Sequence, residues 1–157
     1  MVKKFPTAIL QLNLIKRLDN LMEHFSKLKI EEVIIENQPS IKNPKMKSIA
    51  NTLFDYFMIR GYVDKIYNIN IKQIKFICPS NKLKINKNNT IEIFKANKNS
   101  KEKYKLTKQL SIIYTKQLLK NDPIQLEYLD LYTKQDDLCD AYLQGRYYLE
   151  FIKKKNN

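Results

Sequence analysis

Glycine is almost missing: two residues in a chain of 157, Gly61 and Gly145. Without it there is no Gly-rich clamp for a nucleic-acid backbone, and no RNP-like aromatic motif accompanies the shortage. Histidine occurs once, as His24. It lies on the polar flank of a helical pattern and reads as a solvated surface residue rather than a catalytic base. The two cysteines, Cys78 and Cys139, sit in apolar segments without CxxC spacing. That argues against a zinc site or a disulfide framework and for reduced core residues of an intracellular protein. No apolar run approaches the roughly 20 residues that span a bilayer, and nothing resembles a signal peptide, so no membrane partner is expected.

Negative charge is the other scarcity. Sixteen Asp and Glu face 29 Lys and Arg, a formal net charge of +13 with a pI near 9.6. A field of that sign attracts polyanions and speeds encounter with them, so nucleic acid, an anionic membrane or an acidic protein is the partner that charge alone leads one to expect, nucleic acid foremost. The competing explanation is compositional drift, since Lys, Asn and Ile are all abundant, as an AT-rich coding sequence would make them. The hydrophobic content, 43%, is too high for a disordered chain, and the length is that of one domain able to bury a core.

Along the chain, residues 8–28 place Leu14, Ile15, Leu18, Leu21, Met22, Phe25 and Leu28 at steps of three and four, one stripe of an amphipathic helix. "VIIE" (33–36) is short and β-branched without alternation, as for a strand covered on both faces. Asn43 and Pro44 form a helix start, and apolar residues continue at helical spacing until Gly61. "IKQIKFICPS" (71–80) is a second strand. Strand, helix and strand in that order imply a parallel pair joined by a right-handed crossover. Residues 79–103, rich in Lys and Asn around the island "TIEIF", read as an exposed basic loop or short hairpin. A helix over 102–120 is expected to bury Leu106, Leu110, Ile113 and Leu118, followed by a short amphipathic piece after Pro123 and a last helix over 135–153. No repeat or linker divides the chain, so a single domain over 1–157 is expected.

Two acidic features stand out against the basic background. Glu36 ends the first strand, where open α/β sheets bind ligands. Asp136, Asp137 and Asp140 fall within five residues of "KQDDLCDAY". On a helix Asp137 and Asp140 share a face, and Asp136 and Asp140 nearly do. Three ionised carboxylates so close repel unless something compensates. One solution is a solvated first turn held by the helix dipole. The other is a divalent cation such as Mg²⁺, which prefers a few carboxylates with waters and phosphate oxygens. If Glu36 joined them, metal ions could activate water against a phosphodiester.

The stretches "IIENQPSIKNPKMKSIANTLFDYFMIRG" and "KQDDLCDAYLQG", with "IKFICPSNKLK" between them, resemble the RuvC-like Holliday junction resolvases of poxviruses and other large DNA viruses. The resemblance covers roughly residues 12–146. It implies an α/β, RNase H-like fold, a mixed sheet flanked by helices. It also implies a homodimeric endonuclease, dependent on Mg²⁺ with Mn²⁺ as substitute, that nicks branched double-stranded DNA at four-way junctions and takes no small-molecule substrate. Glu36, Asp137 and Asp140 look like catalytic and metal-binding acids, with Asp136 auxiliary. The helix from Pro44 to Arg60 resembles the family's dimer-packing helix. Lys42, Lys45, Lys47, Lys82 and Lys84 would contact phosphates, and a viral replication site would be the place of action. The family opens with three antiparallel strands, the first carrying an Asp, and nothing before residue 8 matches them. The chain is therefore expected to be N-terminally incomplete relative to the family, or to lack one catalytic acid. Two other functions stay open: a resolvase relative that holds branched DNA without cutting it, and a basic RNA-binding or ribosome-associated protein whose acids are incidental.

Overall fold

A computed structural model describes residues 5–65, 69–97 and 99–155. The chain divides into two compact units, Met1–Cys78 and Pro79–Asn157, each with its own core.

The first unit opens with two helices, α1 (Thr7–Asp19) and α2 (Met22–Lys27), where periodicity alone predicts one over 8–28. Asp19 and Asn20 are poor helix formers. There the ladder tightens to a single i−3 bond, Leu21 N–H to Leu18 O at 2.9 Å, before Phe25 N–H resumes it on Leu21 O. Leu18 and Met22, on either side of the break, both reach the core, while Leu28, expected in the stripe, is exposed. Strand β1 (Glu32–Glu36) then runs to helix α3 (Pro44–Phe57), whose cap Asn43 accepts from Met46 N–H at 3.4 Å. α3 does not stop at Gly61. It passes into a π turn, Met58–Val63, that contains the glycine. A Cβ at Gly61 would lie 2.3 Å from Ile71 Cδ1 and 2.9 Å from its Cγ1, so this glycine is there for close packing rather than termination. Strand β2 (Gln73–Ile77) pairs in parallel with β1, Glu32 opposite Gln73 through Glu36 opposite Ile77. Leu18, Met22, Tyr56, Ile69 and Ile71 form the buried cluster, with Val33 and Ile74 packed against it. Of the two strands only Ile35 and Ile77 are buried, so "VIIE" is less covered than its composition suggests.

Among its described residues the second unit consists of helices joined by turns, with no strand. The expected loop or hairpin over 79–103 is instead a 3₁₀ segment, Pro79–Asn86, followed by helix α4 (Lys87–Ala96). Thr90 explains the choice. Its hydroxyl bonds Leu83 O at 3.0 Å and Asn86 O at 2.8 Å and meets the Tyr114 hydroxyl at 3.0 Å, pinning the helix to the segment before it. Helix α5 (Ser100–Leu118) buries Leu110, Ser111, Tyr114 and Thr115. Ile113 and Leu118, predicted inside, are exposed, and the neighbouring Ser111, Tyr114 and Thr115 are buried in their place. Helix α6 (Pro123–Asp130) follows, capped by Asp122 Oδ1 on Gln125 N–H at 3.1 Å. Helix α7 (Asp136–Tyr147) continues as a π turn to Ile152 and a 3₁₀ turn to Lys155. Its Leu143 joins Leu83, Leu110 and Tyr114 in the second core.

The RNase H-like expectation is overturned. Among the described residues there is one two-stranded parallel sheet in an otherwise mostly helical chain, not a mixed sheet flanked by helices. The physical reason lies in the segments between the strands. Apart from β1 and β2, the apolar residues recur at helical spacing, including in "TIEIF", and no further strand forms to extend the sheet.

Candidate functional site

The acidic cluster is built on the first turn of α7. Asp136 is buried, and its Oδ2 accepts from Lys108 Nζ of α5 at 2.6 Å. That hydrogen bond holds the Asp136 carboxyl below the usual carboxylate range, against the opposing push of burial, and the same contact raises Lys108. Lys108 Nζ also sits 5.2 Å from the Tyr104 ring centroid. Asp137 faces solvent and pairs with Lys134, three residues earlier, which the pairing pushes up. Asp140 is half-buried and pairs through Oδ2 with Lys82 of the 3₁₀ segment, while its Oδ1 is buried without a hydrogen-bond partner among the described residues. Beside it, Cys139 is fully buried, and desolvation raises its thiol. Cys78, read as a core residue, is exposed.

So α7 turns Asp136 and Asp140 inward and Asp137 outward, the reverse of the emphasis that spacing suggests. Three carboxylates engage three separate ammonium groups. As it stands, this donor set does not fit one shared Mg²⁺ or Mn²⁺. Among the described residues, no three His, Cys, Asp or Glu side chains in either unit gather as a metal site. Glu36 belongs to the first unit and the aspartates to the second. At the end of β1, Glu36 Oε1 accepts from Gln38 Nε2 at 3.1 Å.

The predicted phosphate-binding lysines fall into two groups. In the first unit Lys42 is exposed and Lys45 Nζ donates to Phe5 O at 2.7 Å. Lys47 donates to Asn37 Oδ1 at 2.9 Å and lies 4.6 Å from the Phe76 ring centroid, which in turn stacks on Phe54 at 5.3 Å. In the second unit Lys82 is tied to Asp140. Lys84 donates to Asn81 Oδ1 at 2.9 Å and lies 5.8 Å from the Tyr147 centroid. Residue-by-residue reading missed Lys108, whose link to Asp136 spans 28 positions. It could have found Lys134, since "KQDD" places a cation at i−3 of Asp137.

No family model matches the chain, and no solved structure matches it. An uncharacterized protein of Acanthamoeba polyphaga mimivirus is 70% identical over 156 residues, which is 99% of this chain and 38% of that protein. The chain thus spans less than two fifths of the length of the relative it matches. Among the described residues no helix is long and apolar enough to cross a membrane.

Proposed function

We propose that this chain is a nucleic-acid-binding module that grips the phosphate backbone through lysines, its late aspartates acting as counter-ions within the fold. The observation that carries the reading is how the charge is divided. Asp136, Asp137, Asp140, Asp130, Glu31, Glu23 and Glu150 each pair with a Lys or Arg of the chain. Every such pair cancels itself, so the excess of +13 is the balance of the other charged residues, in which cations outnumber acids by more than two to one. Lysine heads beside aromatic rings, Lys47 with Phe76 and Lys84 with Tyr147, add surfaces suited to bases as well as phosphates. Similarity to a mimivirus protein favours viral nucleic acid, at a viral replication site, as the natural partner.

The test titrates the protein against labelled four-way junction, duplex and single-stranded DNA at rising salt, with Mg²⁺ and then with EDTA. Binding should weaken steeply, log affinity falling against log salt with a slope of about −0.9 for each duplex phosphate neutralised. Absence of binding at low salt overturns the proposal. Symmetric nicks that need Mg²⁺ and vanish in Asp137→Asn would favour instead the junction-resolving nuclease that the motif resemblance implies.

A further inference from the structure

The second unit holds a cavity of about 330 Å³ between the 3₁₀ segment and α4. Leu83, Ile91 and Phe94 supply its apolar wall, and Lys82, Lys84 and Lys87 stand among its lining residues. Among the described lining residues there is no carboxylate and no carboxamide. Lys82 is spent on Asp140. Lys84 has neutral partners, Asn81 Oδ1 and the Tyr147 ring, and Lys87 is exposed; neither lysine has an ion pair among the described residues. The cavity therefore joins an apolar interior with one aromatic ring to two uncompensated positive charges.

We infer that this cavity receives one base of a single-stranded nucleic acid, set against Phe94, with the flanking phosphates at Lys84 and Lys87. The inference rests on the nucleic-acid-binding reading above and deepens it. The volume lies at the small end of the roughly 300–1,000 Å³ usual for ligand sites, room for one nucleotide rather than several. An apolar wall with a ring suits the π-face of a base, and stacking of this kind does not depend on which base is present. Besides Ser80, the two hydroxyls that line the cavity do not add a code. Thr90 is committed to Leu83 O, Asn86 O and the Tyr114 hydroxyl, and Thr107 donates to Lys103 O at 2.8 Å. Recognition should accordingly tolerate any sequence. Charge separates this occupant from a fatty-acid anion. One carboxylate needs one cation, whereas a strand brings a phosphate on either side of the inserted base.

The experiment compares an oligothymidylate with an abasic oligomer of the same length, both labelled, on the full chain. Phosphate contacts are common to the two strands, so their difference reports the base alone. Stacking predicts a preference of roughly five- to a hundredfold for the oligothymidylate. Phe94→Leu keeps the cavity apolar but removes the ring, and should erase most of that preference. Ile91→Glu, at an exposed position that does not depend on core packing, should do the same. Lys87→Gln should weaken both strands about equally. If the wild type binds both strands alike with steep salt dependence, or if neither Phe94→Leu nor Ile91→Glu narrows the gap, the cavity is not a base site and the module reading survives. If neither strand binds, both proposals fall.

Discussion

Asp136 and Asp137 are neighbours in sequence, yet their surroundings assign them different work. Asp136 is buried under Lys108, and its folded carboxyl titrates below its unfolded value of about 3.8. A group so depressed contributes stability that is present above the unfolded pKa and lost as the pH falls through the folded one. Asp136→Asn should therefore lower the melting temperature by a few degrees at neutral pH. The gap to wild type should close as the pH falls below the unfolded value and then through the lower folded one, where the native carboxyl also takes up its proton. The raised Lys108 works in the opposite window: its contribution is complete below the unfolded value of 10.5 and fades only above it. Asp137, exposed and paired locally with Lys134, should leave the melt almost unchanged when replaced by Asn. Thermal melts of the two variants across pH check both statements. Equal losses for the two, or a gap at Asp136 that persists in acid, would contradict this division of roles.

At the scale of elements, Gly61 tests whether the π turn after α3 is a packing device. Ala is favoured over Gly in helical backbone by about 1 kcal/mol, but a methyl here meets buried Ile71 at 2.3 Å. Overpacking of this kind costs about 1–3 kcal/mol, so Gly61→Ala should destabilise on balance. Adding Ile71→Val removes the Cδ1 atom but not Cγ1, so in a urea titration the double variant should lose less stability than the two single losses added together. A Gly61→Ala protein as stable as wild type would mean that the turn yields easily. The same elements show what could be read in advance. β1, β2, their parallel order, the Asn43–Pro44 start and the last helix were legible because each rests on local signals: β-branched runs, a cap with proline, an unbroken helical period. The fate of residues 79–103 was not, because "TIEIF" satisfies both periods. Thr90, Ile93 and Phe94 form a helical stripe, but Thr, Glu and Phe also alternate with Ile. The contacts that favour the helix include the Thr90 hydroxyl against Tyr114, 24 positions away, and Ile93 and Phe94 against the second core. The candidate site was legible to the same degree. The acids were visible as a cluster, while the lysines that neutralise two of them, Lys108 and Lys82, come from distant segments.

For the molecule as a whole, the question is which of the lysines are available to a polyanion. Those paired inside the fold and those left in solvent should respond to substitution in opposite ways. Lys42 is exposed and has no partner among the described residues. Lys42→Gln should leave the melt unchanged and, if Lys42 touches a phosphate, flatten the slope of log affinity against log salt by about 1. Lys82 was read with it as a phosphate contact, but its side chain is only 12% exposed and bonds Asp140, itself 26% exposed. Removing it strands a half-buried carboxylate whose other oxygen already lacks a partner among the described residues. Lys82→Gln should therefore cost roughly 1.5–3 kcal/mol of stability, the range for hydrogen bonds to charged groups, and leave the salt slope nearly intact. Measuring melts and salt titrations on both variants separates the two classes of lysine. A Lys82→Gln protein of wild-type stability with a flatter slope would place that ammonium in the binding surface, and the ion pairing used above to divide the charge would have to be abandoned.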